Sequence, residues 1–494
     1  MEQHIERHRE RLEHIAHTAM LERGLLPDFS KAALTELDRI QGPANTPQAS
    51  VHDLRKMLWA SIDNDDSLDL DQTTAAEELP GGQVRILVAV ADVDALVKEG
   101  TELDAHARHN TTSVYTAAKI FPMLPEKLST DLTSLNYDAD RVSMVIDMII
   151  DPDGSLREGS VYQALTHNYA KLAYNSVAAW LEGLAPIPEE VAAVDGLAAN
   201  LRLQDETAQQ MKKFRHAHGA LSFETIEAKA VFDGDQIREL EIEERNRAKD
   251  LIENFMVAAN GVTARYLEKR NYPSLRRVVR VPKRWERIVE IAAEHQYELP
   301  EKPDSSALEK FLISQKTKDP MRFPDLSLAI IKLMGAGEYV ADLPDGSVPG
   351  HFGLAVKDYS HSTAPNRRYP DLITHRLLKA ALQDNPVPCT AEELEALAAH
   401  CTEAEDAANK VERQVGKSAA ALLLEGHIGE RFEAIVTGAA QKGTWVRLLK
   451  IPVEGKLVHG VEGLDVGDRV RVQLINVNVD RGYIDFKKIR SSKR

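Results

Sequence analysis

The sequence predicts an α+β protein in three parts: a small helical module over residues 1–48, a mixed α/β domain over 49–425 and a five-stranded β-barrel over 426–494. Three observations lead there. The first forty residues are charged and helix-favouring, with no strand pattern. From there to Gly426, apolar runs of strand length alternate with stretches at helical spacing. After Gly426 the texture changes to short β-branched runs punctuated by glycines.

Residues 2–23 read as a first helix, and Ser30 is placed to cap a second one from Ala32 to Ile40. Gly42-Pro43 and Asn45-Thr-Pro47 end that pattern. Val84-Arg-Ile-Leu-Val-Ala-Val-Ala-Asp92 is a continuous apolar run, the mark of a buried strand. Val142 to Ile150 is another, closed by Asp151-Pro-Asp-Gly154, whose residues suit a turn. Lys171-Leu-Ala-Tyr174 opens a helical stretch, and Glu227 to Phe232 reads as a strand before the turn Asp233-Gly234-Asp235. Asn246 to Arg270 is a well-defined helix, with Leu251, Phe255, Ala258 or Ala259, and Val262 at helical spacing. Residues 284–315 are also helical, and Asp319-Pro to Pro324 is a break. Pro370 suits the first turn of a helix reaching Gln383, and a long helix runs from Ala391 to Glu425. The five candidate strands between Phe432 and Phe486 match a small barrel of OB type.

Length and composition narrow the function classes. A chain of 494 residues, 43% hydrophobic, holds more than one core. No apolar run approaches the ~20 residues of a membrane span, and the start, MEQHIERHRERLEHI, is too charged for a secretory signal. Cys389 and Cys401 have neither metal-ligand spacing nor the number of a disulfide scaffold, which suits a reducing cytoplasm. A net charge of −16 runs against the basic footprint of a nucleic-acid binder. Basic residues nonetheless cluster at Arg276, Arg277, Arg280, Lys283 and Arg284, at Arg367 and Arg368, and from Arg481 to Arg494. A chain that is acidic overall can still bind a polyanion if positive charge lines the binding path alone.

The richest stretch is Ser61 to Gln72, SIDNDDSLDLDQ, with Asp63, Asp65, Asp66, Asp69 and Asp71 within a dozen positions. A solvated acidic loop is the ordinary reading of such a run. Two features argue for a site instead. Asp69 and Asp71 alternate with Leu68 and Leu70, so in extended backbone both carboxylates share one face and both leucines pack on the other. The buried strand from Val84 follows closely, so the loop opens onto a core. Converging carboxylates suit a hard divalent cation such as Mg²⁺ or Mn²⁺. A calcium-binding EF-hand loop fails, because Leu68 stands at its glycine position and Thr74 at its closing glutamate.

Ser61-Ile-Asp63 followed by Asp69-Leu-Asp71-Gln72 resembles the signature of the ribonuclease II/R family, a Thr/Ser-Ile-Asp and then Asp-x-Asp-Asp. Gln72 departs from the fourth aspartate and brings an oxygen but no charge. Further segments resemble the family in the same order. These are Ser113-Val-Tyr115 with Pro122-Met-Leu-Pro125, Lys171-Leu-Ala-Tyr174, the helix carrying Glu253, and Val411-Glu412-Arg413-Gln-Val415. So does Thr363-Ala-Pro-Asn-Arg367-Arg368-Tyr-Pro-Asp371, where Ala364 and Asn366 depart from Ser and Ile. The closing barrel is similar to an S1 domain. The family usually carries cold-shock-type barrels first. Only about sixty residues precede the motif here, so a helix-turn-helix module or a helical arm on the catalytic domain is expected in their place.

The resemblance implies an RNB catalytic domain that digests single-stranded RNA hydrolytically and processively from 3′ to 5′, releasing nucleoside 5′-monophosphates. Asp63, Asp69 and Asp71, with Gln72 as a weaker fourth, would ligate the metal, and no small-molecule cofactor is expected. Two divalent ions roughly 3.5 to 4 Å apart serve such hydrolysis. Arg367, just ahead of a helix N-terminus with Arg368, would hold the phosphate. Tyr115 and Phe223 would clamp the terminal bases, and Tyr174 and Glu253 would contact the terminal ribose. Glu412 would lie beside the clamp, and Trp445 of the barrel would stack on RNA. Singly, each has a plainer reading, as packing or as a solvated helix position. Their occurrence in order over residues 61 to 486 speaks against coincidence. Two competing functions stand beside this one: an RNA-binding protein whose nuclease site is impaired at Gln72, and a nuclease acting on DNA.

Overall fold

A computed structural model of the chain describes residues 7–45, 51–226, 228–242, 245–344, 346–440 and 443–489. The first residues of the expected opening helix, Thr46 and Pro47 of the expected break, Glu227 of an expected strand and the end of the basic tail lie outside them. Helices α1 (His8–Glu22) and α2 (Lys31–Arg39) come first, and Ser30 Oγ accepts from Ala33 N at the start of α2 as its position suggests. The two do not form a helix-turn-helix pair. Each packs on a different part of the larger domain: α1 against the long helix near the C-terminus, α2 against the first helix after the acidic stretch.

The central sheet takes strands β1 (His52–Asp53), β2 (Trp59–Asp63), β3 (Gln72–Glu78) and β4 (Val84–Ala91). After α3 (Glu102–Asn110) and the small hairpin β5 (Val114–Tyr115) and β6 (Ile120–Phe121), it adds β7 (Asp140–Ile150) and β8 (Leu156–Ala173). The spatial order is β1-β8-β2-β3-β4-β7, and β8 also pairs with β7. This closure follows from the 18-residue length of β8. Its first part runs antiparallel to β7, from Leu156 opposite Ile150 to His167 opposite Asp140. Its last part runs parallel to β2, from Asn168 beside Trp59 to Ala173 beside Asp63. Lys171 to Ala173 therefore belong to a strand, and the expected helix begins only at Tyr174. The β2 ladder holds the backbone extended that far.

Helices α4 (Tyr174–Leu181), α5 (Glu189–Ala192) and α6 (Leu197–Ala217) follow, then the hairpin β9 (Ala228–Asp233) and β10 (Gln236–Ile242). Helix α7 (Arg247–Lys269), capped by Asn246, packs with α6 across the sheet. Thr74 Oγ1 on β3 donates to Gln204 Oε1 of α6 at 2.7 Å, fixing that helix over one face. The pair β11 (Ser274–Val278) and β12 (Glu338–Asp342) brackets α8 (Trp285–Glu294), α9 (Ser305–Lys318) and α10 (Phe323–Met334), which share a core of their own around Phe311. Helix α11 (Tyr369–Leu382) has Pro370 in its first turn, and α12 (Ala391–Leu424) opens on a Thr390–Glu393 capping box.

Strands β13 (Arg431–Ala440), β14 (Gly443–Leu448), β15 (Glu454–His459), β16 (Arg469–Asn478) and β17 (Tyr483–Lys488) close into the expected barrel, in the order β13-β14-β15-β17-β16. The pair Arg447–Asp325, at 2.6 and 3.1 Å, ties it to α10. No described helix is long and apolar enough to cross a membrane.

Candidate active site

Parallel β2 and β8 end side by side, so Asp63 stands next to Ala173 and hence to Tyr174 at the start of α4. From there the chain leaves the sheet as the acidic loop and returns at β3. Two anchors hold the loop. Leu70 N donates to Ser134 Oγ and Leu70 O accepts from Leu135 N, both at 2.9 Å. The Lys171 ammonium donates to Ser67 O. The expected pairing of leucines behind the carboxylates holds for Leu70, which is buried, but not for Leu68, which is 63% exposed. The loop is irregular there rather than extended, and only Leu70 reaches the core.

The second wall comes from far along the chain. Ser113 N donates to Arg367 O at 2.9 Å and Tyr369 N to Thr111 O at 2.8 Å, so residues 111–115 run beside the start of α11. Asp71, 2% exposed, meets that wall. Its Oδ1 accepts from Asn366 N at 2.9 Å and its Oδ2 from Arg367 Nε at 3.2 Å. Arg367 keeps 43% of its side chain exposed, so its remaining donors face open space. Asn366, a departure from the family pattern, is fully buried and accepts from Thr133 Oγ1.

Tyr115 hydroxyl donates to Asp69 Oδ2 at 3.3 Å, and Tyr115 N donates to Glu412 Oε1 of α12 at 2.8 Å. Asp71–Arg367 and Asp69–Tyr115–Glu412 are thus two hydrogen-bonded sets, and the charges of Asp63, Asp69 and Asp71 all act on Arg367, so the two stand together around that guanidinium. Burial pushes the Asp71 carboxyl up to about 7, with the charge of Asp69 adding to the rise and Arg367 opposing it. Burial raises Asp69 as well, with Arg367 opposing and Asp63 adding to the rise. Such carboxylates are short of positive charge, and a cation would supply it.

A second group lies around Tyr174. Lys249 Nζ sits 5.9 Å from the centre of its ring. One helical turn along α7, Glu253 pairs with Arg215 at 3.4 Å and with Arg245, which also donates to Phe223 O at 3.3 Å. Glu253 is thus tied to the Phe223 backbone through Arg245, and Lys249, which reaches the Tyr174 ring, lies one turn away from Glu253 on the same helix. Arg245 carried no signal, lying in a plain polar run before the helix. Lys171 stands in a segment that resembles the family, but its bond to Ser67 O had no sign in the sequence. Arg368 is engaged by Asp371 Oδ1 at 2.8 Å inside the first turn of α11. Trp445 alternates with inward-facing Thr444 and Val446, which puts it on the outer face of the barrel with Arg447. Phe432 packs on Phe486 of the barrel core at 6.4 Å between ring centres.

Whether the acidic group suits a metal depends on its free oxygens. Among the described residues, no three acidic, imidazole or thiol side chains close on one point as a ready-made cage. Asp71 already has both oxygens bonded by protein donors. Asp63 uses Oδ1 alone, for Asn64 N and Ser67 Oγ at 2.8 Å, and Asp69 takes the Tyr115 hydroxyl. Gln72 pairs with Val90 in the β3–β4 ladder, so its carboxamide leaves the strand on the face opposite the Asp71 carboxylate. The donor set is all oxygen and incomplete, which fits Mg²⁺, an ion that combines one or two carboxylates with waters and substrate phosphates.

Residues 51–384 match the RNB domain, and residues 430–489 match the RNase II-type exonuclease C-terminal S1 domain. Ribonuclease R of Escherichia coli (strain K12) is 33% identical over 481 residues, which cover 89% of this chain and 58% of that protein. The chain thus spans less than two thirds of that relative. In fold it is similar to Mycoplasma genitalium RNase R in complex with ribose methylated single-stranded RNA, with a TM-score of 0.85, 23% identity, and coverage of 96% of this chain and 77% of that one. It is also similar to yeast Ssd1, a pseudonuclease, with a TM-score of 0.72, 16% identity, and coverage of 93% and 57%.

Proposed function

Because this chain belongs to the RNB family, we propose that it is a divalent-metal-dependent hydrolytic exoribonuclease, which digests single-stranded RNA processively from the 3′ end to nucleoside 5′-monophosphates. The observation that carries this reading is the bond from Arg367 to Asp71 across nearly three hundred residues of chain, inside a group that also holds Asp69, Tyr115 and Glu412. Arg367 would grip the terminal phosphate with the donors Asp71 leaves free and stabilise the charge that grows on it. Asp63 and Asp69 would hold the metal, with Asp71 and Gln72 behind them. A divalent ion held there would lower the pKa of a bound water and offset the charge on the departing oxygen. Water oxygen bonds to phosphorus, the bond to the preceding O3′ breaks, and a shortened strand with a new 3′-hydroxyl remains.

Tyr115 and Phe223 would clamp the last bases. Tyr174 and Glu253 would meet the terminal ribose, whose 2′-hydroxyl both donates and accepts. Single-stranded RNA as substrate draws support from the Mycoplasma genitalium RNase R complex. Arg368 and Trp445 are proposed along the RNA path, the latter as an outward ring on the barrel.

The test is release of mononucleotide from a labelled oligoribonucleotide in Mg²⁺. Asp71→Asn should abolish turnover and keep RNA binding, and retained turnover would refute the reading. A substrate ending in 3′-terminal deoxyribose separates RNA from DNA specificity. The second reading, an RNA binder with an impaired site, is favoured by Gln72 and by a pseudonuclease sharing the fold. It requires the wild-type chain to bind RNA and release nothing.

A further inference from the structure

At the far end of the sheet a cavity of about 350 Å³ opens between the start of β8 and the C-terminal half of α7. Its lining includes Arg157, Glu158, Phe214, Arg265, Tyr266 and Lys269. We propose that this cavity is an accessory nucleotide-binding site, taking the phosphate and base of a nucleotide that is either free or one unit of an RNA strand.

Two rulers separate it from the acidic group. Ala173, beside Asp63, is fourteen residues along β8 from Gly159 in the cavity wall, or about 46 Å in a straight strand. Glu253 is twelve residues along α7 from Arg265, about 18 Å of helix.

The charge of the lining runs against the rest of the molecule. In a chain of net charge −16, it carries three cations and one carboxylate. Arg157 is partly spoken for by Asp151 at 3.4 Å. Arg265 and Lys269 have no hydrogen bond or ion pair among the described residues. Arg265 is half-buried, and its guanidinium lies over Gly261, where a side-chain carbon would stand 3.1 Å from Nη1. Burial lowers its pKa, Arg276 adds to that, and Asp358 and Glu268 oppose it from beyond pairing distance. A half-buried guanidinium without a partner is costly unless an anion visits it, and its planar fork matches a phosphate.

The rings give the second half of the chemistry. Phe214 rests on His218 at 4.1 Å and Tyr266 carries Arg270 at 5.6 Å, so both are braced from outside the cavity. Braced rings beside cations are how proteins hold a base and its phosphate together. The volume is within the range of roughly 300–1,000 Å³ typical of small-ligand sites.

The test is calorimetric titration of the full chain with AMP, inorganic phosphate and hexaadenylate in EDTA, where no turnover occurs and the nuclease reading is not at stake. Wild type should bind AMP at a site that Arg265→Ala and Lys269→Ala each weaken about tenfold. Arg265→Lys should be intermediate, since it keeps the charge and loses the fork. Melting temperatures should be unchanged, and so should turnover of short RNA in Mg²⁺. Tighter binding of hexaadenylate than AMP at this site would make the ligand a strand, and equal binding a free nucleotide. AMP binding untouched by both alanine variants would overturn the proposal, as would inorganic phosphate binding as tightly as AMP.

Discussion

Asp71 gives both oxygens to protein donors, whereas Asp63 bonds through one oxygen only. On the proposed reading the acidic residues divide their work, with Asp71 orienting Arg367 and Asp63 and Asp69 holding the cation. Arg367→Ala should therefore cut turnover about 10²–10³-fold, the loss seen when one preorganised donor to a developing charge is removed. Arg367→Lys should recover little, because an ammonium cannot bond Asp71 and grip a phosphate in the same plane. RNA affinity, read by filter binding, should change far less, and a parallel loss of both would make Arg367 a simple binding residue. Gln72→Asp tests the fourth position. Even from the far face of the pleat, a charge one residue from Asp71 adds to the field of the cluster. The Mg²⁺ concentration for half-maximal rate should fall, and an unmoved value would remove Gln72 from the metal's surroundings.

Among the elements, α1 has the least expected connection to the site. Ala16, Ala19 and Met20 of α1 share a core with Val114 and with Val411 and Val415 of α12. Val114 and Val411 flank Tyr115 and Glu412, whose mutual bond joins the small hairpin to α12 beside the acidic residues. Met20→Ala should cost about 2–5 kcal/mol by leaving a cavity and should also raise KM for short RNA more than it lowers kcat. A stability loss with unchanged KM would make α1 a mere buttress. The sequence showed the helical character of α1 plainly, but not its target, because Ala16 and Ala19 look alike whether they meet an independent module or α12. Strand β4 and helices α7 and α12 were legible for the usual reason, long runs with one period. The end of β8 was misread because Lys171-Leu-Ala-Tyr174 is too short to show a period, and only pairing with β2 decides it. The acidic residues were found from their density, whereas Asn366 showed only as a departure from a motif, because its contact with Asp71 spans nearly three hundred residues, and Arg245 left no local mark.

Across the whole molecule, segments meet around histidines that the fold draws out of water, and two of them, His106 and His351, accept hydrogen bonds and so must stay neutral. His106 stacks on Phe29 at 4.2 Å where the N-terminal arm meets α3, and its Nε2 accepts from Asn110 Nδ2 at 3.3 Å. His351 Nδ1 accepts from Leu354 N at 3.1 Å. Burial pulls both rings down to about 4, and it holds His361, bonded to the Tyr339 hydroxyl, well below the ordinary value. Groups depressed in the folded state contribute stability above their unfolded pKa near 6.5, and that stability is lost as pH falls through the folded value. Unfolding free energy should thus decline between pH 6.5 and 4, by about 3 kcal/mol for His106 alone, whose ring is 6% exposed. Asp71 works in the opposite sense. Its carboxyl, raised to about 7 in the fold, favours the native state as pH falls from 7 towards 4. Asp71→Asn removes that opposition, so its urea-unfolding curve against pH should fall more steeply than that of wild type over the same window. A wild-type curve flat from pH 6.5 to 4, with Asp71→Asn equally flat, would mean that these histidines are protonated in the native state and that their buried, accepting geometry does not persist in solution.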